Sequence, residues 1–505
     1  MKIAFRCDWG PGLGIGHAGR CASLAQSLRK LGHETMFISN GSSSSEPRFP
    51  GMEPILRIDA LPEGNWNLAL NPDPASPGFR EYEALDARES TRVLREQRVD
   101  RVILDHYFLS DVWARHVRES GIGVSVIDDI DRSWRNVDAV VDPRPGASLE
   151  GRVAAGTVCF AGTRYFPVSE STARARWQRI TNEDQAQGAV IFTGGSDSSG
   201  LSARFITALR DVFPGELDAL LIIGNSASDR PSTTRLAESA RIRVSGEIVD
   251  IGGVYAGSLF ALGAGGVSAL ERCCIGVPQI VSSVSENQVP QCRSLSSMGS
   301  LVYVGSSAEI EDAVLGAAIR SLARDATLRA SMAAIARNTI DEHGATRSML
   351  LIHGGKADPV FREASRFDVH LLFGWANEAV ARANATNPAL ISWEEHVRWF
   401  TRVLNEEDTR IHVLEVGGVP VGMVRLDRQG NSARISYSVD VDFRSRGFGQ
   451  VLLERALLIA RESSFAELTA LVSRSNEASL RLFRRLGFSE TDGPSEAFRL
   501  FVFEP

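Results

Sequence analysis

The stretch Ile435-Ser-Tyr-Ser-Val-Asp-Val-Asp-Phe-Arg444-Ser-Arg-Gly-Phe-Gly449 decides how the last third of the chain is read. Its first half, Ile435–Val441, alternates as a strand, its second half is a glycine turn, and the periodicity predicts a helix over Gln450–Arg461. A strand, a glycine turn and a helix in that order expose successive backbone N–H groups at the helix N-terminus. Glycine there allows close approach, and the helix dipole adds attraction for a pyrophosphate. By itself Arg-x-x-Gly-x-Gly is a weak signal, because many turns before helices look like it.

Working outward, the strand Leu468–Val472 is followed by Asn476-Glu-Ala-Ser479-Leu-Arg-Leu-Phe483-Arg-Arg-Leu-Gly487-Phe488. Upstream, Ile411–Glu415, Val419–Leu426 and Ala433–Val441 read as antiparallel strands with a hairpin turn at Asp427–Asn431, and Ser392-Trp-Glu-Glu395 is a capping box opening a helix. Over about 140 residues, and in both of their best-known motifs, this part resembles the GNAT acetyltransferases. The resemblance implies an α+β domain over residues 366–505 with acetyl-CoA as co-substrate. It implies that Arg444, Arg446, Gly447, Phe448 and Gly449 hold the pyrophosphate, that Val439 and Val441 bond the pantetheine at a splayed strand end, and that Asn476 contacts the cofactor. Many family members carry Tyr where this chain has Phe483, to protonate the departing thiolate. Tyr437 is the only tyrosine after Asp368 and is the candidate acid, with a core tyrosine the equal alternative. A water relay would serve as base; no residue is named for it.

Upstream of residue 342 the pattern changes. Lys2–Arg6 reads as a buried strand, followed by a glycine loop and a helix from about His17 with Leu24, Leu28 and Leu31 on one stripe and Gly32 as C-cap. Val102–Leu104 and Val124–Ile127 are short strands running into Asp105, Asp128 and Asp129. The pattern restarts with Ala189–Phe192 before Thr193-Gly-Gly-Ser-Asp197, Ala219–Ile223 before Gly224-Asn225, and Gln279–Val281. The expected class is α/β: two Rossmann-like domains, residues 1–170 and 171–355, with ligands at the C-terminal ends of their strands. Residues 342–366 lose their pattern. The helix Thr327–Asp341 is a candidate to cross back over the first domain, which periodicity does not decide.

Candidate residues in this part are Arg6-Cys-Asp8, Gly14-Ile-Gly16-His17 and Arg20, then Gly263-Ala-Gly265-Gly266-Val-Ser268-Ala-Leu-Glu271-Arg272 and Glu286-Asn287-Gln288. A glycine loop entering a helix at Ser268 can cradle a diphosphate, and Glu271 can accept hydrogen bonds from a ribose diol; a first-turn glutamate is also dipole-favoured without any ligand. With Asp105-His106-Tyr107, Asp128-Asp129 and Gly344-Ala-Thr-Arg347, these residues resemble the UDP-sugar hydrolase of the pseudaminic acid pathway, a relative of the GT-B glycosyltransferases. The resemblance implies hydrolysis of UDP-2,4-diacetamido-2,4,6-trideoxy-β-L-altropyranose, with His17 activating water, Asn287 lining the sugar site, and Arg6, Asp8, Gly16, Gly265, Gly266, Ser268, Glu271 and Gln288 on the substrate. One base suffices, because UDP leaves as a stable anion while an alkoxide does not. Two stretches depart from that family's pattern: Asp142-Pro-Arg-Pro145 and Gly162-Thr-Arg-Tyr165-Phe-Pro-Val168. A GT-B-type glycosyltransferase and a non-catalytic sugar-nucleotide binding module are the alternatives for this half.

The 505 residues exceed one core, and 43% hydrophobic with 23% charged residues is ordinary for a globular protein. A formal net charge of −7 argues against a broad nucleic-acid surface. The six cysteines form no CxxC pair and read as reduced thiols, no signal peptide precedes Arg6, and Ser258–Leu270 is too short to span a bilayer. The expectation is a cytoplasmic enzyme acting on small-molecule UDP-sugars, without metal, nucleic acid or membrane; oligomeric state is not indicated.

Overall fold

The computed structural model is described here for residues 1–9, 16–40, 49, 52–58, 77–195, 197, 199–215, 217–224, 227, 229–246 and 250–505. Gly14 and Ile15 of the first glycine loop, Ser196 and Asn225 lie outside the described residues. The chain divides into two units, Met1–Gly355 and Lys356–Pro505.

The first unit holds two parallel sheets. β1 (Lys2–Arg6), β2 (Glu34–Ser39), β3 (Ile55–Arg57), β4 (Arg101–Leu104), β5 (Gly123–Ile127), β6 (Ala139–Asp142) and β7 (Val158–Ala161) lie in the order β3-β2-β1-β4-β5-β6-β7. Their short runs of buried Ile, Val, Leu and Phe fit strands covered by helices on both faces. Strand order reverses between β1 and β4, so a crevice opens beyond the C-terminal ends of that pair. The second sheet repeats the plan: β8 (Ala189–Phe192), β9 (Ala219–Ile222), β10 (Arg243–Ser245), β11 (Phe260–Ala264), β12 (Gln279–Ser283) and β13 (Val302–Ser306) are ordered β10-β9-β8-β11-β12-β13, reversing between β8 and β11.

The segment expected to lose its pattern contains the helix Gly344–His353 and the strand β14 (Pro359–Glu363). That helix is buried nearly all round, so it carries no polar stripe to reveal it. It, and not the helix Ala326–Thr339, packs back on the first domain: Thr346 Oγ1 donates to Ser27 Oγ at 3.0 Å.

The second unit is one mixed sheet. β14, β15 (Thr409–Val416), β16 (Val419–Gln429), β17 (Ser432–Val439), β18 (Glu467–Ser473), β19 (Ser489–Asp492) and β20 (Phe498–Phe503) lie in the order β14-β15-β16-β17-β18-β20-β19. The Ser392–Glu395 capping box forms, with Glu395 N donating to Ser392 Oγ at 3.2 Å. β17 and β18 are parallel but pair only from Ser432–Glu467 to Arg434–Thr469 and then part. Among the described residues no helix is long and apolar enough to cross a membrane, and no group of three or more His, Cys, Asp and Glu side chains could hold a metal ion.

Candidate functional sites

The reversal between β1 and β4 brings together residues about ninety positions apart. His17 is the second residue of the helix Gly16–Lys30, and Asp105 is the first after β4. His17 Nδ1 lies 2.6 Å from Asp105 Oδ1. An ionised carboxylate only accepts, so the proton between them sits on Nδ1 and the Nε2 lone pair faces away from Asp105. Nε2 is buried and has no hydrogen-bond partner among the described residues. Tyr107 packs edge-on against the imidazole, ring centroids 4.2 Å apart. Arg20 braces the pair: its Nε and Nη2 reach Asp105 at 2.5 Å each, and its Nη1 reaches Asp129 at 2.6 Å. Burial alone would raise the Asp105 pKa, but Arg20 and His17 outweigh it and hold the carboxyl well below its usual range. Asp129 is lowered in the same way by Arg20 against its own burial. The imidazole therefore meets an ionised carboxylate on its Nδ1 side. Asp105 and Asp129 are visible in the sequence only as strand-end acids, because their partnership with His17 depends on which strands are neighbours.

Arg6 and Asp8, expected on the substrate, are paired with each other. Arg6 is fully buried, donates to Asp8 at 2.5 Å and 3.0 Å, and also engages Asp86. Asp8 further accepts from Ser39 Oγ and the Asn40 N–H and lies 3.0 Å from His106 Nε2, so its oxygens are spent within the fold. Gly16 is exposed at the helix start, beside His17. The two departing stretches have local roles: Arg144 pairs with Asp142 and Asp131, and the Arg164 carbonyl accepts from Arg347 at 2.6 Å.

In the second sheet, Gly265 and Gly266 leave β11 and enter the helix Val267–Ile275. Gly266 is its N-cap and offers no side-chain cap, so first-turn N–H groups are left for an anion. A Cβ on Gly265 would stand 2.2 Å from Cys292 Sγ, so only glycine fits. Gln291, which the sequence reading passed over, donates to the Gly265 carbonyl at 2.8 Å and steadies the turn. Ser268 and Glu271 are half-buried on the first turns of the helix. Burial pushes the Glu271 carboxyl up to about 7, with Arg272 pulling the other way. Asn287, exposed, stands at the N-terminus of the helix Gln288–Ser297 without a side-chain cap bond, and its Oδ1 accepts from Ser285 Oγ at 2.6 Å. Gln288 Oε1 accepts from the Val284 N–H at 3.0 Å, with its amide nitrogen beside Gly266.

In the second unit, Gly447 caps the helix Phe448–Glu462 at φ +87°, a left-handed conformation, again with no side-chain cap. The open N–H groups of Phe448 and Gly449 follow. Arg446 is exposed, while Arg444 is held by Glu378 at 2.5 Å, a partner the sequence did not reveal. β17 stops at Val439. Val441 is therefore not on the strand as expected: Asp440 accepts from the Asp442 N–H and starts a 3-10 turn, Val441–Phe443, where Val441 is exposed. From Ile435 to Val439 the edge of β17 facing β18 has no strand partner, so its main-chain groups suit a pantetheine amide. Asn476 caps the helix Glu477–Arg485, accepting from the Ser479 N–H at 3.1 Å. The Tyr437 hydroxyl lies 2.7 Å from Ser479 Oγ, and burial raises its pKa against the relief that hydrogen bond gives. Phe483 points into the core, packed on Phe488 and Phe501 with ring centroids 4.9 Å and 5.2 Å away. Trp375 donates its indole N–H to Asp440 at 2.8 Å and is buried.

Residues 377–488 match the Acetyltransferase (GNAT) family. The second unit thus carries a GNAT acetyltransferase domain, whose co-substrate is acetyl-CoA. The spore coat polysaccharide biosynthesis protein SpsG of Bacillus subtilis is 21% identical over 353 residues, covering 69% of this chain and 96% of SpsG. An uncharacterized protein of Methanocaldococcus jannaschii, MJ1062, is 20% identical over 510 residues, 97% of each chain, so the likeness runs through both units. The crystal structure of MurG from Acinetobacter baumannii is 17% identical and superposes at a TM-score of 0.51 over 70% of this chain and 99% of its own. That likeness shows the fold of the first unit: two Rossmann-like domains in a GT-B arrangement, fused to a GNAT domain.

Proposed function

We propose that the first unit hydrolyses UDP-2,4-diacetamido-2,4,6-trideoxy-β-L-altropyranose and that the GNAT domain acetylates the 4-amino group of a UDP-4-amino-4,6-dideoxy sugar, two consecutive steps of pseudaminic acid-type nonulosonate synthesis. The observation that carries the hydrolase reading is His17 Nε2, buried, without a hydrogen-bond partner among the described residues, and oriented by Asp105. His17 Nε2 takes a proton from water as the oxygen bonds to the anomeric carbon; the bond from that carbon to the diphosphate oxygen breaks, and UDP leaves as an anion. The Gly265–Ser268 turn receives the diphosphate, Glu271 the ribose diol, and Asn287 and Gln288 border the sugar. The spore coat polysaccharide name of the Bacillus relative supports a sugar substrate.

In the second unit, acetyl-CoA supplies an activated thioester. Gly447, Phe448 and Gly449, with Arg444 and Arg446, would hold its pyrophosphate, the free edge of β17 up to Val439 its pantetheine, and Asn476 its far wall. The neutral amine attacks the thioester carbonyl, and the new C–N bond forms as the C–S bond breaks. A water relay takes the proton the amine loses, and the Tyr437 hydroxyl, backed by Ser479, gives its proton to the thiolate. A cytoplasmic site of action fits this reading, because nucleotide sugars and acetyl-CoA are available there.

Incubation of the full chain with the diacetamido UDP-sugar tests the first reading. UDP release without any acceptor, lost in His17→Ala, supports hydrolysis. Release only when an acceptor is added would make this half a transferase, and binding without turnover a carrier module.

A further inference from the structure

A cavity of about 400 Å³ lies at the opposite edge of the first sheet from His17. Its walls come from residues at the N-terminal ends of strands: Arg101 opens β4, Asp138 precedes β6 and Val158 opens β7. Asp105 and Asp129 follow the C-terminal ends of β4 and β5, so the cavity is separated from the hydrolase site by the length of the strands.

Three guanidiniums, Arg101, Arg118 and Arg135, share this cavity with one carboxylate, Asp138. Asp138 is saturated: it meets Arg118 Nη2 at 3.1 Å and Arg101 Nη1 at 3.5 Å and accepts from the Val124 N–H at 3.0 Å. Arg135 spends two donors on neutral acceptors, the carbonyls of Val153 (2.7 Å) and Gly151 (3.1 Å), which leaves its charge uncompensated. Three positive charges against one negative leave a formal +2. Arg118 sits in the last turn of the helix Asp111–Glu119, whose C-terminal partial charge of about half a unit offsets only part of that. The rest of the lining carries no charge, and its small members Ala154, Ala155 and Gly156 leave room beside the guanidiniums. A volume of this size suits a small metabolite.

We propose that this cavity binds the phosphate dianion of a small phosphorylated molecule. Arginines hold phosphate through paired N–H donors, and the Nε and second Nη of Arg101 and Arg118 have no other acceptor among the described residues. The site stands apart from both reactions proposed above and needs neither to be correct.

The test is calorimetric titration of inorganic phosphate into the full chain at low salt, with UDP and coenzyme A present to fill the two glycine turns. Wild type should take up phosphate, with at least tenfold weaker binding in Arg118→Ala and in Ala155→Glu, which adds a repelling carboxylate without removing an arginine. Both positions are exposed, so unchanged melting temperatures should accompany the loss. Identical isotherms in wild type and both variants, or no phosphate uptake by wild type, would overturn the proposal. Succinate binding as tight as phosphate would overturn the phosphate assignment.

Discussion

At His17 the imidazole is held from several directions, by Asp105 on Nδ1, by Arg20 behind that carboxylate and by the edge of Tyr107. At Tyr437 the hydroxyl has Ser479 as its hydrogen-bond partner, and the surrounding design goes into an open strand edge and a glycine-capped helix. Under the proposed function the difference follows from the chemistry of each step. UDP is a good leaving group but water is a poor nucleophile, so hydrolysis would depend on a positioned base. A thioester is already activated and its thiolate leaves readily, so acetyl transfer depends more on holding the cofactor than on any one proton donor.

The two glycine turns differ as well. Gly265 is required by space, with Cys292 Sγ where a Cβ would go, whereas Gly447 has nothing within 4 Å and is required by its positive φ. Overlap in a packed turn and local backbone strain each cost about 1–3 kcal/mol, but only the overlap can be relieved by shrinking a neighbouring side chain.

The largest expected effect is at the base. His17→Ala should lower UDP release by about a thousandfold, the middle of the range for a positioned general base, while acetyl-CoA consumption stays unchanged. An equal fall in both activities would show that the substitution damages the fold and not one centre. Next, Gly265→Ala should weaken UDP binding by roughly ten- to a hundredfold, consistent with a 1–3 kcal/mol overpacking cost, and Gly265→Ala with Cys292→Ala should recover part of it. No recovery would mean that the Cys292 contact is not what excludes a side chain.

Glu271 makes the comparison sensitive to pH. Burial holds its pKa at about 7, and hydrogen bonds from ribose hydroxyls favour the ionised form. UDP binding should therefore weaken as pH falls below about 7, approaching tenfold per pH unit, because one proton must leave on binding. Glu271→Gln should flatten that profile; a slope that survives it assigns the proton elsewhere. The smallest effects belong to the second centre. Gly447→Ala should raise the acetyl-CoA KM about fivefold, as expected for about 1 kcal/mol of strain. Tyr437→Phe should lower its kcat about three- to tenfold, since the thiolate needs little help. A wild-type rate in Tyr437→Phe would remove it as the acid.

Much of this architecture was legible one residue at a time. Short apolar runs ending in glycine or acid, Ser392 with Glu395, and Arg444 to Gly449 before an amphipathic helix are local signals, and local signals report local structure. The helix Gly344–His353 escaped because full burial erases periodicity, and β17 stopped two residues early because the Asp440 side chain captured a backbone N–H.

The sequence by itself determined the three sheets, the two glycine turns and the identity of His17 as the residue beyond the first loop. Only the tertiary structure decided that Asp105 lies on His17 Nδ1, that Arg6 pairs with both Asp8 and Asp86, and that Glu378 holds Arg444. Each of these rests on contacts between segments far apart in the chain. Which strands become neighbours is set by packing both faces of a sheet at once, and no single stretch of sequence carries that information.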